Sequence, residues 1–302
     1  MAGRIVAFGY HAGTLPRLVI ADAHQHFWDP RVNYHPWLRD DPPIAFRYGD
    51  YSALRRPYLP ADYLVDAGRH EVGKTVYVET EWDPRDPLGE TAWVDRLRRE
   101  TGFPTVAVAQ AWLDREDVAS VLERQAEYSF VRGIRHKPRA GAMRSASWRA
   151  GYALLARFAL RFDLQTPWSE LGDAADLCLA YPDTQLILNH AGLPADRSAE
   201  GIAGWKRALR LLAECPNAAI KISGIGVPGA RWTPEDNREV VLSAIEIFGV
   251  ARAMFASNFP VDGLCASFDE IYSGFREIVK DFPALEQRAL FHDNAVRIYA
   301  ME

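Results

Sequence analysis

The sequence predicts an α/β protein folded as a (β/α)8 TIM barrel, and three observations carry that prediction. Short β-branched runs alternate with longer amphipathic stretches from residue 19 onward, and eight such runs can be counted. Most of these runs are apolar at every position rather than at alternate ones, the pattern of parallel strands covered on both faces. The length of 302 residues suits one barrel of roughly 250 residues with extensions. No G-x-G-x-x-G or P-loop follows any run, which argues against an open nucleotide-binding sheet with the same alternation.

Taken in order, strands are expected at residues 19–22, 75–80, 105–111, 131–135, 163–166, 185–189, 219–223 and 253–256. Amphipathic spacing predicts helices between them. One covers 90–100, where Trp93, Val94 and Leu97 share a side, and another covers the Ala-, Leu- and Phe-rich stretch 148–162. A third covers 234–248, with Thr233 as N-cap and Pro234 at the first helical position, and a fourth covers 267–282 and stops at Pro283. Residues 29–60 break the rhythm with Pro30, Pro36, Pro42, Pro43, Pro57, Pro60 and several aromatics. In a barrel this segment is a long loop after the first strand, on the face where active sites lie. Residues 1–16 read as a loosely ordered N-terminal extension too weakly apolar for a signal peptide, which leaves 17–302 as a single barrel domain.

Composition narrows the function by exclusion. Apolar residues make up 48% and charged residues 25%, and the net charge of −5 is spread along the chain, with no polybasic run to bind nucleic acid. No apolar run reaches the length of a membrane helix. The three cysteines, Cys178, Cys215 and Cys265, are far apart and lack a C-x-x-C spacing, so a reduced, cytoplasmic setting is expected. The expected partner is a small molecule, with self-association left open.

In a barrel, chemistry belongs where strands end. The first run ends in Asp22, His24 and His26, and strand alternation turns the two histidines to one side. Two imidazoles converging at a buried strand end suit metal binding or proton transfer. The other strand ends supply Glu79 and Glu81; Arg135, His136 and Lys137; Trp168; Asn189 and His190; Lys221 and Ser223; and Asn258 with Asp262. So many polar side chains on one rim do not suit packing, because burying unpaired charge is costly. Arg135 suits either an ion pair with an acid such as Glu79 or a substrate carboxylate. Lys221 is expected to be paired, and His11, His35, His70 and His292 to be structural, with His35 alone able to reach the rim.

With H-x-H on strand 1, a histidine on strand 6 and a polar strand 8, the chain resembles the amidohydrolase superfamily. More narrowly, it resembles the amidohydrolase-related branch that contains sugar-acid lactonases and the pyrone-dicarboxylate lactonase. The stretches that carry the resemblance include Asp22-Ala-His-Gln-His-Phe-Trp28, Leu188-Asn-His-Ala-Gly192, Ser257-Asn-Phe-Pro-Val-Asp262 and Phe291-His-Asp-Asn-Ala-Val-Arg-Ile-Tyr299. The resemblance implies a barrel hydrolase in which His24, His26 and His190 occupy the positions of the superfamily's metal ligands. It finds no equivalent of the strand-4 bridging group, so a two-metal centre is not expected. Strand 8 departs further: Asn258 stands where the superfamily has an aspartate, and a neutral amide cannot act as a carboxylate base.

These readings together expect hydrolysis of a lactone, or a related cyclic ester of a sugar acid or an aromatic-degradation intermediate, by water. Catalytic roles fall to His24, His26, His190, Asn258 and Asp262, the last or a histidine serving as base. Substrate binding falls to Arg135, His136, Glu79 and Trp168. No cofactor is required, or one divalent cation, zinc first, sits on His24, His26 and His190. The alternatives are a metal-dependent decarboxylase on the same barrel and a binding protein that has lost its base.

Overall fold

The computed structural model describes residues 18–302, so the expected extension 1–16 lies outside the described residues. Eight strands follow one another around a barrel: β1 (Ile20–Gln25), β2 (Val72–Val78), β3 (Val106–Gln110), β4 (Val131–Arg135), β5 (Arg161–Leu164), β6 (Leu186–Leu188), β7 (Ala218–Ile222) and β8 (Ala253–Phe255). Each pairs in parallel with the next, in the order β1 to β8, with helices between them. The seam between β8 and β1 closes just past the strand ends. There the His26 N–H donates to the Phe259 carbonyl and the Asn258 N–H to the His24 carbonyl, both at 2.8 Å. The fold is the expected (β/α)8 barrel.

The continuous apolar runs follow from the architecture. Val76, Val78, Val106, Val108, Ile187, Ala219 and Met254 point into the barrel and form one buried cluster. Their sequence neighbours, among them Tyr77, Leu188, Ile220 and Phe255, pack outward against the helices with Ile134 and Phe162. Both alternating sets are therefore buried, and the two-residue polar period disappears.

Helix ends follow local chemistry. The Thr233 hydroxyl caps helix Pro234–Phe248 by accepting from the Asp236 N–H at 3.1 Å. Ser267 and Glu270 cap helix Phe268–Ile278 reciprocally. The helix expected over 148–162 is instead Ala146–Arg157. Ala159 takes a left-handed conformation (φ +53°) that ends the helical path, and Arg161 and Phe162 begin β5. The Phe162 ring then packs on Trp148 and Tyr152, at centroid distances of 5.5 and 5.1 Å.

The long segment after β1 is folded against the barrel mouth. Trp28 and Tyr58 pair across its base, and Trp28, Trp37, Tyr51 and Tyr58 are buried. Trp37 stacks on Phe46 with centroids 5.8 Å apart, which carries the following residues, Arg47 and Tyr48, inward. Among the described residues, no helix is long and apolar enough to cross a membrane.

Candidate active site

The histidine pair depends on an irregularity in β1. Asp22 is registered with Thr75 and Gln25 with Tyr77, so three steps along β1 match two along β2. Regular alternation from Ala21 and Ala23, which face the barrel interior, would put His24 on the outer face beside Asp22. The extra residue turns His24 and His26 to the same inner side. Asp22 stays outside and does not reach the rim where it was expected. It accepts from the Tyr63 hydroxyl at 2.7 Å, the Ser257 hydroxyl at 2.6 Å and the Ser257 N–H at 2.8 Å, stapling β1 to the end of β8.

Inside, two neutral imidazoles and an amide oxygen converge. His26 Nδ1 lies 2.7 Å from the Val78 carbonyl, so Nδ1 carries the proton and Nε2 is bare. That Nε2 accepts from the His24 Nε2–H at 3.2 Å and lies 3.3 Å from Asn258 Oδ1. The Asn258 amide is fixed in this sense because its NH2 donates to Asp262 Oδ1 at 2.7 Å. Burial first, then the Lys221 charge for His24 and the Arg135 charge for His26, hold both imidazoles well below the usual histidine range. Both are therefore neutral at pH 7.

Asp262 is placed differently from the expected base. Its Oδ1 accepts from Asn258, from the Tyr48 hydroxyl at 3.0 Å and from Arg47 at 3.4 Å, and its Oδ2 accepts from the Gly224 N–H at 2.9 Å. The carboxylate is 3% exposed, with three donors on Oδ1 and one on Oδ2, and burial raises it above the usual carboxylate range. It acts on the site through Asn258. Arg47 and Tyr48 were not anticipated, because nothing in the loop's own sequence ties it to strand 8.

His190 joins from the end of β6, with a left-handed backbone (φ +55°) shared by Ala191 (φ +52°). Such φ values are strained outside glycine and concentrate where function fixes them. Its ring centroid is 4.6 Å from that of His24, and its Nδ1 is 3.0 Å from the Ser223 hydroxyl. Gly224 (φ +57°) makes this approach possible, since a Cβ there would lie 2.6 Å from His190 Nδ1 and 2.8 Å from the Arg47 guanidinium. Beneath the histidines, Lys221 is paired as expected. Its ammonium donates to Asp163 at 2.6 Å, and the Tyr299 hydroxyl donates to the same carboxylate at 2.9 Å.

Across the barrel from β1, Arg135 is 3% exposed. Its Nε donates to Glu79 Oε1 at 2.5 Å and its Nη1 to Gln165 at 3.2 Å, while Nη2 donates to the Glu79 carbonyl. Glu79 Oε2 accepts from the Glu81 N–H, so Glu79 serves as Arg135's partner and is not a free substrate ligand. Lys137 pairs with Glu81. Behind Glu79 lies Glu90, whose Oε1 accepts from Tyr77 and twice from Thr80 while Oε2 has no partner. Burial, with the Glu79 charge second, raises Glu90 to about 7.

Two cavities open onto these groups. The inner one, about 220 Å³, is lined by His26, Asn258, His190, Arg135, Gln165 and Arg47, among others. The outer one, about 690 Å³, includes Trp82, Trp112 and His136 in its wall. Trp168, expected to bind substrate, lines neither cavity. Its indole packs against helix Ala199–Ala213 at Gly204, where a Cβ would come within 2.8 Å of the ring. His35 is likewise drawn back, fully buried beside Thr80 and edge-on to Trp82.

The donor set also bears on a metal. Among the described residues, no three His, Cys, Asp or Glu side chains are grouped to hold one, and the expected His24–His26–His190 set has His190 Nδ1 committed to Ser223. His190 Nε2 stays available beside the other two imidazoles and the Asn258 amide. His26 Nε2 stands 3.2 and 3.3 Å from His24 Nε2 and Asn258 Oδ1, and the edge of a tetrahedron of zinc-length bonds is about 3.3 Å. The set therefore fits a divalent cation in spacing, though with neutral donors only and with Arg135 and Lys221 nearby.

Comparison with known proteins agrees with this fold. The family model described as Amidohydrolase matches residues 21–301. A Sinorhizobium fredii protein named only as uncharacterized protein y4mH is 40% identical over 297 residues, covering 93% of this chain and 98% of its own. An L-fucono-1,5-lactonase of Burkholderia multivorans is 30% identical, covering 93% of this chain and 95% of its own. A solved Burkholderia multivorans amidohydrolase with bound zinc superposes with a TM-score of 0.78 at 28% identity, covering 94% of this chain and all of its own. A second crystal form of it, with bound HEPES, gives 0.79.

Proposed function

The chain belongs to the amidohydrolase family, and from that premise we propose that it hydrolyses a lactone of a sugar acid or a related cyclic ester. The observation that carries this reading is the bare Nε2 of His26, fixed by Val78, on the wall of a small chamber that Arg135 also lines. A neutral imidazole in the cavity wall, its Nε2 lone pair released as the His24 N–H turns aside, takes a proton from water as it attacks the carbonyl. Asn258 Oδ1 then accepts from the new imidazolium N–H, an interaction that the bare ring lacks. The carbonyl oxygen, gaining negative charge, turns toward Arg135 and His190. Collapse of the tetrahedral intermediate breaks the ring C–O bond, and the His26 proton passes to the departing alkoxide. A carboxylic acid and a hydroxyl on one open chain are the product, and the acid releases its proton to solvent to become a carboxylate.

Asp262 supports this sequence as a positioning residue, holding the Asn258 amide with its oxygen toward His26. A divalent cation held by His24 Nε2, His26 Nε2 and Asn258 Oδ1 would polarise the same carbonyl when bound. The reading also rests on likeness to the L-fucono-1,5-lactonase at 30% identity.

The test is a panel of 1,5- and 1,4-lactones of sugar acids, with 2-pyrone-4,6-dicarboxylate, assayed by proton release with and without chelator. Turnover that survives chelation fits the proton relay of His26; turnover restored only by added zinc fits a cation at the same atoms. Carbon dioxide release from an aromatic acid, with no lactone turned over, would replace the reading with the decarboxylase alternative.

A further inference from the structure

We propose that the substrate carries a second, uncharged ring beyond its lactone, and that the outer cavity holds it. This rests on the lactone reading of the inner chamber and extends it. The outer cavity is about 690 Å³ and the inner one about 220 Å³, so the inner space suits a single ring and the larger volume lies outside it. The two are continuous. Trp37, Ile44, Glu81, Arg135 and Lys137 line both, and a group attached to a lactone in the inner chamber passes directly into the outer space.

The outer wall selects the chemistry of that group. Three indoles, Trp37, Trp82 and Trp112, line it and supply flat apolar faces for a ring to lie against. The basic residues of the wall are already matched: Arg135 by Glu79, Lys137 by Glu81 and Arg115 by Asp117. Arg139 is exposed. With Asp40, Glu79, Glu81 and Asp114 set against Arg115, Arg135, Lys137 and Arg139, the wall carries no surplus of positive charge to draw an anionic substituent, and an uncharged one disturbs none of its pairs.

One donor is preset. His136 Nδ1 accepts from the Leu113 N–H and from the Trp148 indole N–H, both at 3.1 Å. Two donors on Nδ1 require the proton on Nε2, so the ring is a neutral donor in the wall of the outer cavity. Its partner is an oxygen acceptor, such as a hydroxyl or ether, on the second ring. A glycosyl ring and an oxygen-bearing aryl ring both have this chemistry.

The experiment compares matched pairs: glucono-1,5-lactone against cellobiono-1,5-lactone, and δ-valerolactone against its 6-(4-hydroxyphenyl) derivative. The expected result is a kcat/KM at least ten-fold higher for the two-ring member of one pair, which identifies the ring as glycosyl or aryl. Trp112→Ala should cut that preference about ten-fold, with Trp112→Phe keeping most of it. Single-ring lactones turned over as well as their two-ring partners would overturn the proposal and leave the lactone reading standing. If no lactone is hydrolysed, calorimetry with the ring-opened acids decides instead. Cellobionate binding no tighter than gluconate, and the aryl hydroxy acid no tighter than 5-hydroxyvalerate, would overturn it.

Discussion

The two sides of the inner chamber are built on opposite principles. On the β8–β1 side the strand-end groups facing inward are uncharged, and the one carboxylate, Asp262, is set back and held by four donors, Arg47 of the loop among them. On the β2–β4 side the groups are charged and already paired, Arg135 with Glu79 and Lys137 with Glu81. The difference separates two tasks. A side made of bare lone pairs takes up a proton or a cation, and a side made of held guanidinium stabilises negative charge without moving. Sequence position hides this, because both sides contribute an acid and a histidine.

The largest expected effect comes from removing the bare lone pair. His26→Gln should lower kcat/KM on the best lactone about 10³-fold, within the usual span for a general base, with little change in melting temperature. Activity above a tenth of wild type would remove His26 from that role. On the opposite side, Arg135→Met leaves Glu79 buried without its partner, which costs on the order of 3–5 kcal/mol in stability. Arg135→Met combined with Glu79→Gln should recover much of the lost melting temperature and none of the lost activity. Recovery of both would make the pair a structural strut.

Asp262→Asn should cost about ten- to a hundred-fold in kcat, because it loosens Asn258 without removing the proton acceptor. Complete loss would return Asp262 to the part of base. The smallest effect concerns Glu90, behind Glu79. Folding raises it from 4.5 to about 7, so the stability it contributes is complete below about pH 4.5 and is lost as pH rises toward 7. Glu90→Gln keeps that contribution, and its stability relative to wild type should climb across the window, by a margin of about 3 kcal/mol. A difference independent of pH would mean that Glu90 ionises as an ordinary surface acid.

What the sequence disclosed follows the same physical division. Strand positions were legible because two-sided burial leaves continuous apolar runs, and the H-x-H pair stood out because histidines are rare in such a run. Regular alternation placed the pair together, but it cannot by itself put His24 on the side of Ala23, which takes the extra residue in β1. Asp22 was assigned to the rim for the same reason and lies behind the barrel wall. Trp168 was read as a rim aromatic. Its place is decided by Gly204, a glycine on a helix that no local pattern connects to it. Arg47 and Tyr48 escaped notice because their partner, Asp262, is more than two hundred positions away. Contacts of that range leave no trace in local periodicity.

The buried charge beneath the histidines bears on how the chain reaches this state. Asp163 enters with β5, yet the ammonium that neutralises it comes with β7, and the hydroxyl that completes its shell comes after β8. A half-built barrel would hold a carboxylate in its lumen with no counterion, a costly state. Partial assemblies that stop between the fifth and seventh strands are therefore penalised. Closure of the ring and neutralisation of its interior become one cooperative event, and splitting the chain between β5 and β7 should yield fragments that order only when recombined.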